Sequence, residues 1–171
     1  MNNLEIAING VKIASRILKI PTPEVNFISV ENLPNKEITA VFTFEEYEII
    51  FNKDWVLNVP WIEVMVTCFH ETRHAYQYLQ IIKSSTLKFI EQELVLTEWK
   101  RGFETYQMPE SNKFSLYLKN PIEIDAIAFS TLLVERLFKT TVSVPVSIRQ
   151  DVIIRRRQIK EVMSLDYFDK D

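Results

Sequence analysis

Glycine is nearly absent. Two glycines in 171 residues leave little of the left-handed backbone on which a fold of many tight hairpins depends, so helices are favoured over a many-stranded β fold. Cysteine is scarcer still. The single Cys68 excludes an internal disulfide and gives no sign of an oxidising compartment. Positive charge is not in excess either. With 20 Lys and Arg against 23 Asp and Glu, the net charge of −3 lacks the basic field of a nucleic-acid binder. No stretch reaches the roughly 20 apolar residues of a membrane-spanning helix. The N-terminus carries Glu5 and polar side chains where a signal peptide needs a continuous apolar run. These absences predict a soluble cytoplasmic protein with no membrane and no nucleic-acid partner.

Histidine is also scarce, and here the scarcity is informative. The only two are His70 and His74, within His70-Glu71-Thr72-Arg73-His74, an H-E-x-x-H motif. Two histidines placed at random fall four apart about once in ninety cases, and a Glu after the first lowers this to about one in a thousand. The flanking stretch 61–82 reads as a helix. At about 100° per residue, Trp61, Val64, Cys68, Ala75 and Leu79 share one side, flanked by Met65, Phe69 and Tyr76, as a core face. His70 and His74 fall opposite, in a stripe with Glu63, Thr67 and Gln77, with Glu71 at its edge. Residues four apart lie one turn up the same face, so both imidazoles reach one cation. The bland reading is a solvated stripe with two ordinary histidines.

The rest of the chain predicts an α+β domain spanning 1–171, with a small antiparallel β-sheet packed on the central histidine helix and further helices after it. Hydrophobic residues at 47% and charged residues at 25% are ordinary for a globular protein of one core. Leu4, Ile6, Ala7, Val11, Ala14, Ile17 and Leu18 give a first amphipathic helix, weakened by Gly10 and ended by Pro21 and Pro23. A β-like run at 24–30 and a turn through Pro34 follow. Two alternating runs, 38–44 and 47–52, form a hairpin about Glu45 and Glu46. Leu87, Ile90, Leu94, Leu96 and Trp99 suggest another helix. Gly102, Pro109 and residues 110–113 mark a loop, Asn120 and Pro121 open a strongly periodic helix, and Val144 and Pro145 open a last one.

Zinc suits neutral imidazole nitrogens, and catalytic zinc sites take three protein ligands plus a water of lowered pKa. Glu71 lies about 100° round the helix from His70 and is placed to act as general base on that water rather than as a ligand. The third ligand must come from elsewhere. Cys68 is on the core face. Gln77 and Gln80 stand where a metzincin has its glycine and third histidine, which excludes that class. Two carboxylates remain on the 121–138 helix. Glu123 borders the apolar face of Ile122, Ala126, Phe129, Leu133 and Leu137, whereas Asp125 is about 160° away from it on the wheel, near Arg136. Glu123 is the candidate ligand, with a competing role as the N3 residue of a capping box opened by Asn120.

The residues HETRHAYQ, followed about fifty residues later by PIEIDAIAF, resemble the gluzincin metallopeptidases. Within them they are most similar to the short minigluzincins and the ImmA/IrrE-like proteases. The second motif there has the pattern E-x-x-A-x-x-F-[AS], matched by Glu123, Ala126, Phe129 and Ser130. The resemblance runs from the hairpin to about Phe138 and does not cover the C-terminal helix. It implies a zincin-like fold, His70, His74 and Glu123 as zinc ligands, Glu71 as general base, and a peptide or protein substrate. It also implies an oxyanion-stabilising side chain. With no histidine left, Tyr76, Tyr78, Tyr106 and Tyr117 stay open for that role. Substrate is held in such folds by strand addition to the edge of the small sheet, here 38–44 or 47–52. Two other functions compete: a non-catalytic zinc-binding protein, and an interaction domain using the cleft as a docking groove.

The remaining features read as bland. Arg155, Arg156 and Arg157 read as a solvated helical face, Arg73 as one half of a surface ion pair, and Trp55, Trp61 and Trp99 as core. The acidic stretch 166–171 reads as a disordered tail or as a segment folded back over the cleft.

Overall fold

The computed structural model describes residues 2–33, 35–106 and 114–163. The turn at Pro34, the loop residues Pro109 and 110–113, and the tail 166–171 lie outside the described residues. Helix α1 (Asn3–Leu18) leads into strand β1 (Glu24–Ile28), then β2 (Ala40–Thr43), β3 (Glu48–Asn52) and a short helix α2 (Lys53–Asn58). The histidine helix α3 (Trp61–Ile81) follows, then α4 (Glu93–Glu104), α5 (Phe114–Leu118), α6 (Pro121–Phe138) and, after a 3-10 turn, α7 (Arg149–Met163). This is an α+β arrangement: a three-stranded sheet with helices before and after it.

The sheet is mixed, not antiparallel as the sequence predicts. The hairpin forms, with Val41 opposite Ile50, but β3 lies in the middle and pairs with β1 in parallel, with Val25 opposite Ile49. The physical reason is burial. β3 holds Ile49 and Phe51 at zero exposure, and the middle position satisfies its backbone groups on both sides. β2 is left as an edge strand, and 47–52 is excluded from that role.

Helix α3 packs on α1 along one side and on α6 along the other. Gly10 makes the α1 contact close. A Cβ there would stand 2.9 Å from both Cβ and Sγ of Cys68, so the glycine that weakens α1 in sequence terms is required by its packing. Val64, Met65, Cys68, Phe69, Ala75, Tyr76 and Leu79 are buried as the wheel predicts. Trp61 departs from it. It opens the helix, is half exposed, and meets the edge of the Phe138 ring. Trp99 is core and Trp55 is intermediate.

Several boundaries differ from the sequence reading: β1 ends at Ile28, and the last helix begins at Arg149 rather than at Pro145. Leu87 and Ile90 precede α4, and Gly102 lies inside that helix rather than in a loop. A Cβ on Gly102 would fall 2.6 Å from Asn120 Oδ1, so this glycine lets α4 lie against the start of α6. Among the described residues, no helix is long and apolar enough to cross a membrane.

Candidate metal centre

Helix α3 sets His70 and His74 one turn apart, with their Nε2 atoms 3.0 Å from each other. Helix α6 begins directly across from them. Asn120 caps it by accepting from Ile122 N–H, and Pro121 occupies the first turn, where its missing donor costs nothing. Glu123, in that same turn, has its side chain fully buried. Its Oε2 is 3.2 Å from His70 Nε2 and its Oε1 is 3.5 Å from His74 Nε2. The carboxylate therefore points at the histidines, and the Tyr106 and Tyr117 phenols also hydrogen-bond to it.

These distances test whether the donors fit a cation. Zinc–ligand bonds of about 2.0–2.1 Å in a tetrahedron put neighbouring donors about 3.3 Å apart. The distances here are near that spacing: 3.0 Å between the two imidazole nitrogens, 3.2 Å from His70 to Oε2 and 3.5 Å from His74 to Oε1 of Glu123. His70, Glu71 and His74 also offer donor atoms within 4.8 Å of one another and form a group able to hold a metal ion. Glu123 lies within 3.5 Å of both imidazole nitrogens, and Glu71 is held by the β2 backbone. Its Oε2 accepts the Phe42 backbone N–H at 2.9 Å.

Charge agrees with this geometry. Burial alone would raise the Glu123 pKa, but the two histidines hold it below the usual carboxylate range. Burial alone would lower His70, and the Glu123 carboxylate outweighs it and raises the imidazole. Of the four tyrosines open for oxyanion work, Tyr106 and Tyr117 line the same cavity as His70, Glu71 and His74. Burial, and then the Glu123 charge, push both phenols above their ordinary value. Tyr76 is not in that cavity. It packs on Trp99 and under the Arg73 guanidinium. Tyr78 lies against Phe42 and Phe44.

The cavity, of about 580 Å³, runs between α3 and the β2 edge, with Phe103, Tyr106, Tyr117 and Ile122 closing the other wall. The Phe42 N–H is directed to Glu71 and not to β3. By the alternation of an antiparallel pair, Ala40 and Phe42 turn their backbone groups away from β3, along the open edge.

Behind the histidines lies a network that the sequence reading misplaces. Arg73 is fully buried, not half of a surface pair. It donates to Asp125 through Nε (2.8 Å) and Nη2 (3.1 Å), and to Glu91 through Nη2 (2.9 Å). Asp125 is also fully buried, and lies far from the exposed role near Arg136 that the wheel suggests. Arg155 on α7 is buried as well. It meets Asp125 through Nε (2.6 Å) and Glu91 through Nη2 (2.9 Å). Of the predicted solvated basic face only Arg157 is exposed, since Arg156 pairs with Glu135. A lone helical wheel assigns charge to solvent by default, and here α6, α7 and the residues before α4 enclose the other side of α3. Glu91, Arg155 and Gln77 are the residues that sequence reasoning missed. Only Gln77 carried a signal, standing three residues after His74 on the same helical face.

No family model, curated protein or solved structure matches this chain. The site's own geometry is therefore the ground for its function.

Proposed function

We propose that the chain is a zinc-dependent peptidase of the gluzincin kind, with His70, His74 and Glu123 as metal ligands and Glu71 as general base. The observation that supports this most is the cluster of two imidazole nitrogens 3.0 Å apart with the two oxygens of the inward Glu123 carboxylate at 3.2 and 3.5 Å from them. A zinc ion held by these residues would supply a Lewis acid and lower the pKa of water there.

The chain's own residues supply the remaining chemistry. The open edge of β2 offers the backbone groups of Ala40 and the Phe42 carbonyl to an extended peptide, which adds as a strand along the cleft. The Phe42 N–H fixes Glu71 by one oxygen. The Glu71 carboxylate takes the protons of the attacking water and passes them to the amine nitrogen as the C–N bond breaks, leaving a carboxylate and an ammonium group. Tyr106 and Tyr117 stand on the opposite wall, where a phenol donates to the oxygen that gains charge.

The test is made on full-length protein without a histidine tag. Elemental analysis is expected to give one zinc per chain in wild type and in Glu71→Gln, with loss in His70→Ala and Glu123→Ala. Peptide-library cleavage followed by mass spectrometry is expected in wild type, falling by about 10²–10⁴-fold in Glu71→Gln. Zinc bound with cleavage indifferent to Glu71→Gln would convert the reading to a non-catalytic zinc site. No zinc after loading would overturn it entirely.

A further inference from the structure

We infer that Gln77 holds His74 in the neutral tautomer that carries its proton on Nδ1, so that Nε2 keeps its lone pair for the site shared with His70 and Glu123. The inference deepens the peptidase reading and rests on it for the word ligand, but the tautomer itself follows from contacts within the protein.

Gln77 is completely buried between α3 and α6. Its amide nitrogen donates both hydrogens, to the Ile122 carbonyl at 2.9 Å and to Asp125 Oδ2 at 2.6 Å. Neither partner has a proton to give. Ile122 offers a carbonyl oxygen, and Asp125 faces the guanidinium groups of Arg73 and Arg155. Turning the amide over would set its oxygen against two acceptors, so the orientation is forced by chemistry. The amide oxygen is then directed at His74 Nδ1, 2.8 Å away. An amide oxygen only accepts, so Nδ1 carries the hydrogen. In the neutral ring Nε2 is then the unprotonated nitrogen, and Nε2 is the atom 3.5 Å from Glu123 Oε1 and 3.0 Å from His70 Nε2.

The same amide does more than orient one ring. Ile122 and Asp125 flank Glu123 in α6, so the two hydrogens of Gln77 tie the helix bearing one candidate ligand to the helix bearing the other two. Asp125 is fixed in turn by Arg73 and by Arg155 from α7. This gives the C-terminal helix, which the gluzincin resemblance does not cover, a part in setting the site. Gln77 is a positioning residue, acting through His74 and through α6.

The experiment reads the tautomer directly. Metal-free full-length protein is studied by long-range ¹H–¹⁵N correlation at about pH 8.5, where an ordinary imidazole is neutral. There are only two histidines, and His70→Gln assigns them. The expected result is His74 protonated on Nδ1. In Gln77→Met, which keeps the length of the side chain without its polar atoms, the pure Nδ1–H signature is expected to be lost and zinc affinity to fall about 10–100-fold.

His74 protonated on Nε2 in the wild type would overturn the inference, and this needs no variant to fold. An unchanged tautomer in Gln77→Met, with zinc affinity held within about threefold of wild type, would also overturn it. A protein that binds no zinc yet shows the Nδ1–H tautomer would sink the peptidase reading while supporting this one. A protein that binds zinc but whose metal-free His74 is protonated on Nε2 would do the reverse.

Discussion

Asp125→Asn should be among the most damaging single-atom changes in the molecule. The carboxylate accepts four hydrogen bonds: from Arg73 Nε (2.8 Å) and Nη2 (3.1 Å), from Arg155 Nε (2.6 Å) and from Gln77 Nε2 (2.6 Å). All four of Arg73, Glu91, Asp125 and Arg155 are buried, so two guanidiniums are balanced by two carboxylates with little water to help. Replacing one carboxylate oxygen by an amide keeps the volume and leaves two buried positive charges on one anion. Breaking such a buried pair costs about 3–5 kcal/mol, a large share of the roughly 5–15 kcal/mol that holds a domain folded. The assay is urea unfolding followed by tryptophan fluorescence, with the slope m compared to confirm that only stability has changed.

The internal control is Glu135→Gln. It breaks the partly exposed pair with Arg156, at 2.9 Å, and should cost less than about 1 kcal/mol. Replacing the whole set at once (Arg73→Met, Arg155→Met, Glu91→Leu and Asp125→Leu) should cost far less than Asp125→Asn alone, because no charge is then left unpaired. If Asp125→Asn costs no more than Glu135→Gln, the account of the network is wrong.

The same carboxylate has a pH signature. Burial would raise its pKa, but Arg73 and Arg155 hold it down at about 2, from an ordinary 3.8. A depressed native pKa contributes stability that is fully present above the unfolded value and is lost as pH falls through the native one. The Asp125 share, about 2 kcal/mol, should therefore drain away between about pH 4 and pH 2, and that part of the slope should vanish in Asp125→Asn.

Three further outcomes are expected. On a cleaved peptide, Tyr106→Phe or Tyr117→Phe should lower kcat by about 10²-fold with little change in KM, whereas Tyr76→Phe should not; full kcat in both of the first two would remove the tyrosines from the mechanism. Gly10→Ala should destabilise by about 1–3 kcal/mol in thermal or urea unfolding. Adding Cys68→Ala should return part of that loss, because it removes the Sγ that stands 2.9 Å from the new Cβ. Cys68 is fully buried, and burial followed by the Glu71 charge pushes its thiol well up. Alkylation by iodoacetamide should then be at least about 100-fold slower in native than in urea-unfolded protein, and rapid native labelling would refute the burial.

Local patterns in the chain were enough for several elements, because the forces behind them are local. Four-residue spacing put His70 and His74 on one face of a helix, and Asn120 followed by Pro121 opened α6 through capping and a fixed φ. The same wheel set Glu123 at the border of the buried face of α6, though it wrongly turned Asp125 away, and Asp125 in fact bonds Arg73 and Gln77 of α3. Strand alternation likewise found the β2–β3 hairpin.

What lay beyond the sequence depends on which surfaces meet. Alternation fixes which face of a strand is apolar but not its neighbour, so the parallel pairing of β1 with β3, and hence the choice of β2 as the open edge, came only from the fold. A wheel cannot know that a polar stripe is covered, and Arg73, Gln77, Asp125 and Arg155 each read as ordinary until α3, α6 and α7 were packed together. Glu123 stayed balanced between helix cap and ligand for the same reason: its backbone position is local, but the direction of its carboxylate is decided by the histidines across from it. Gly10 shows the principle at its smallest. One missing Cβ weakens a helix taken alone and is what allows that helix to reach α3.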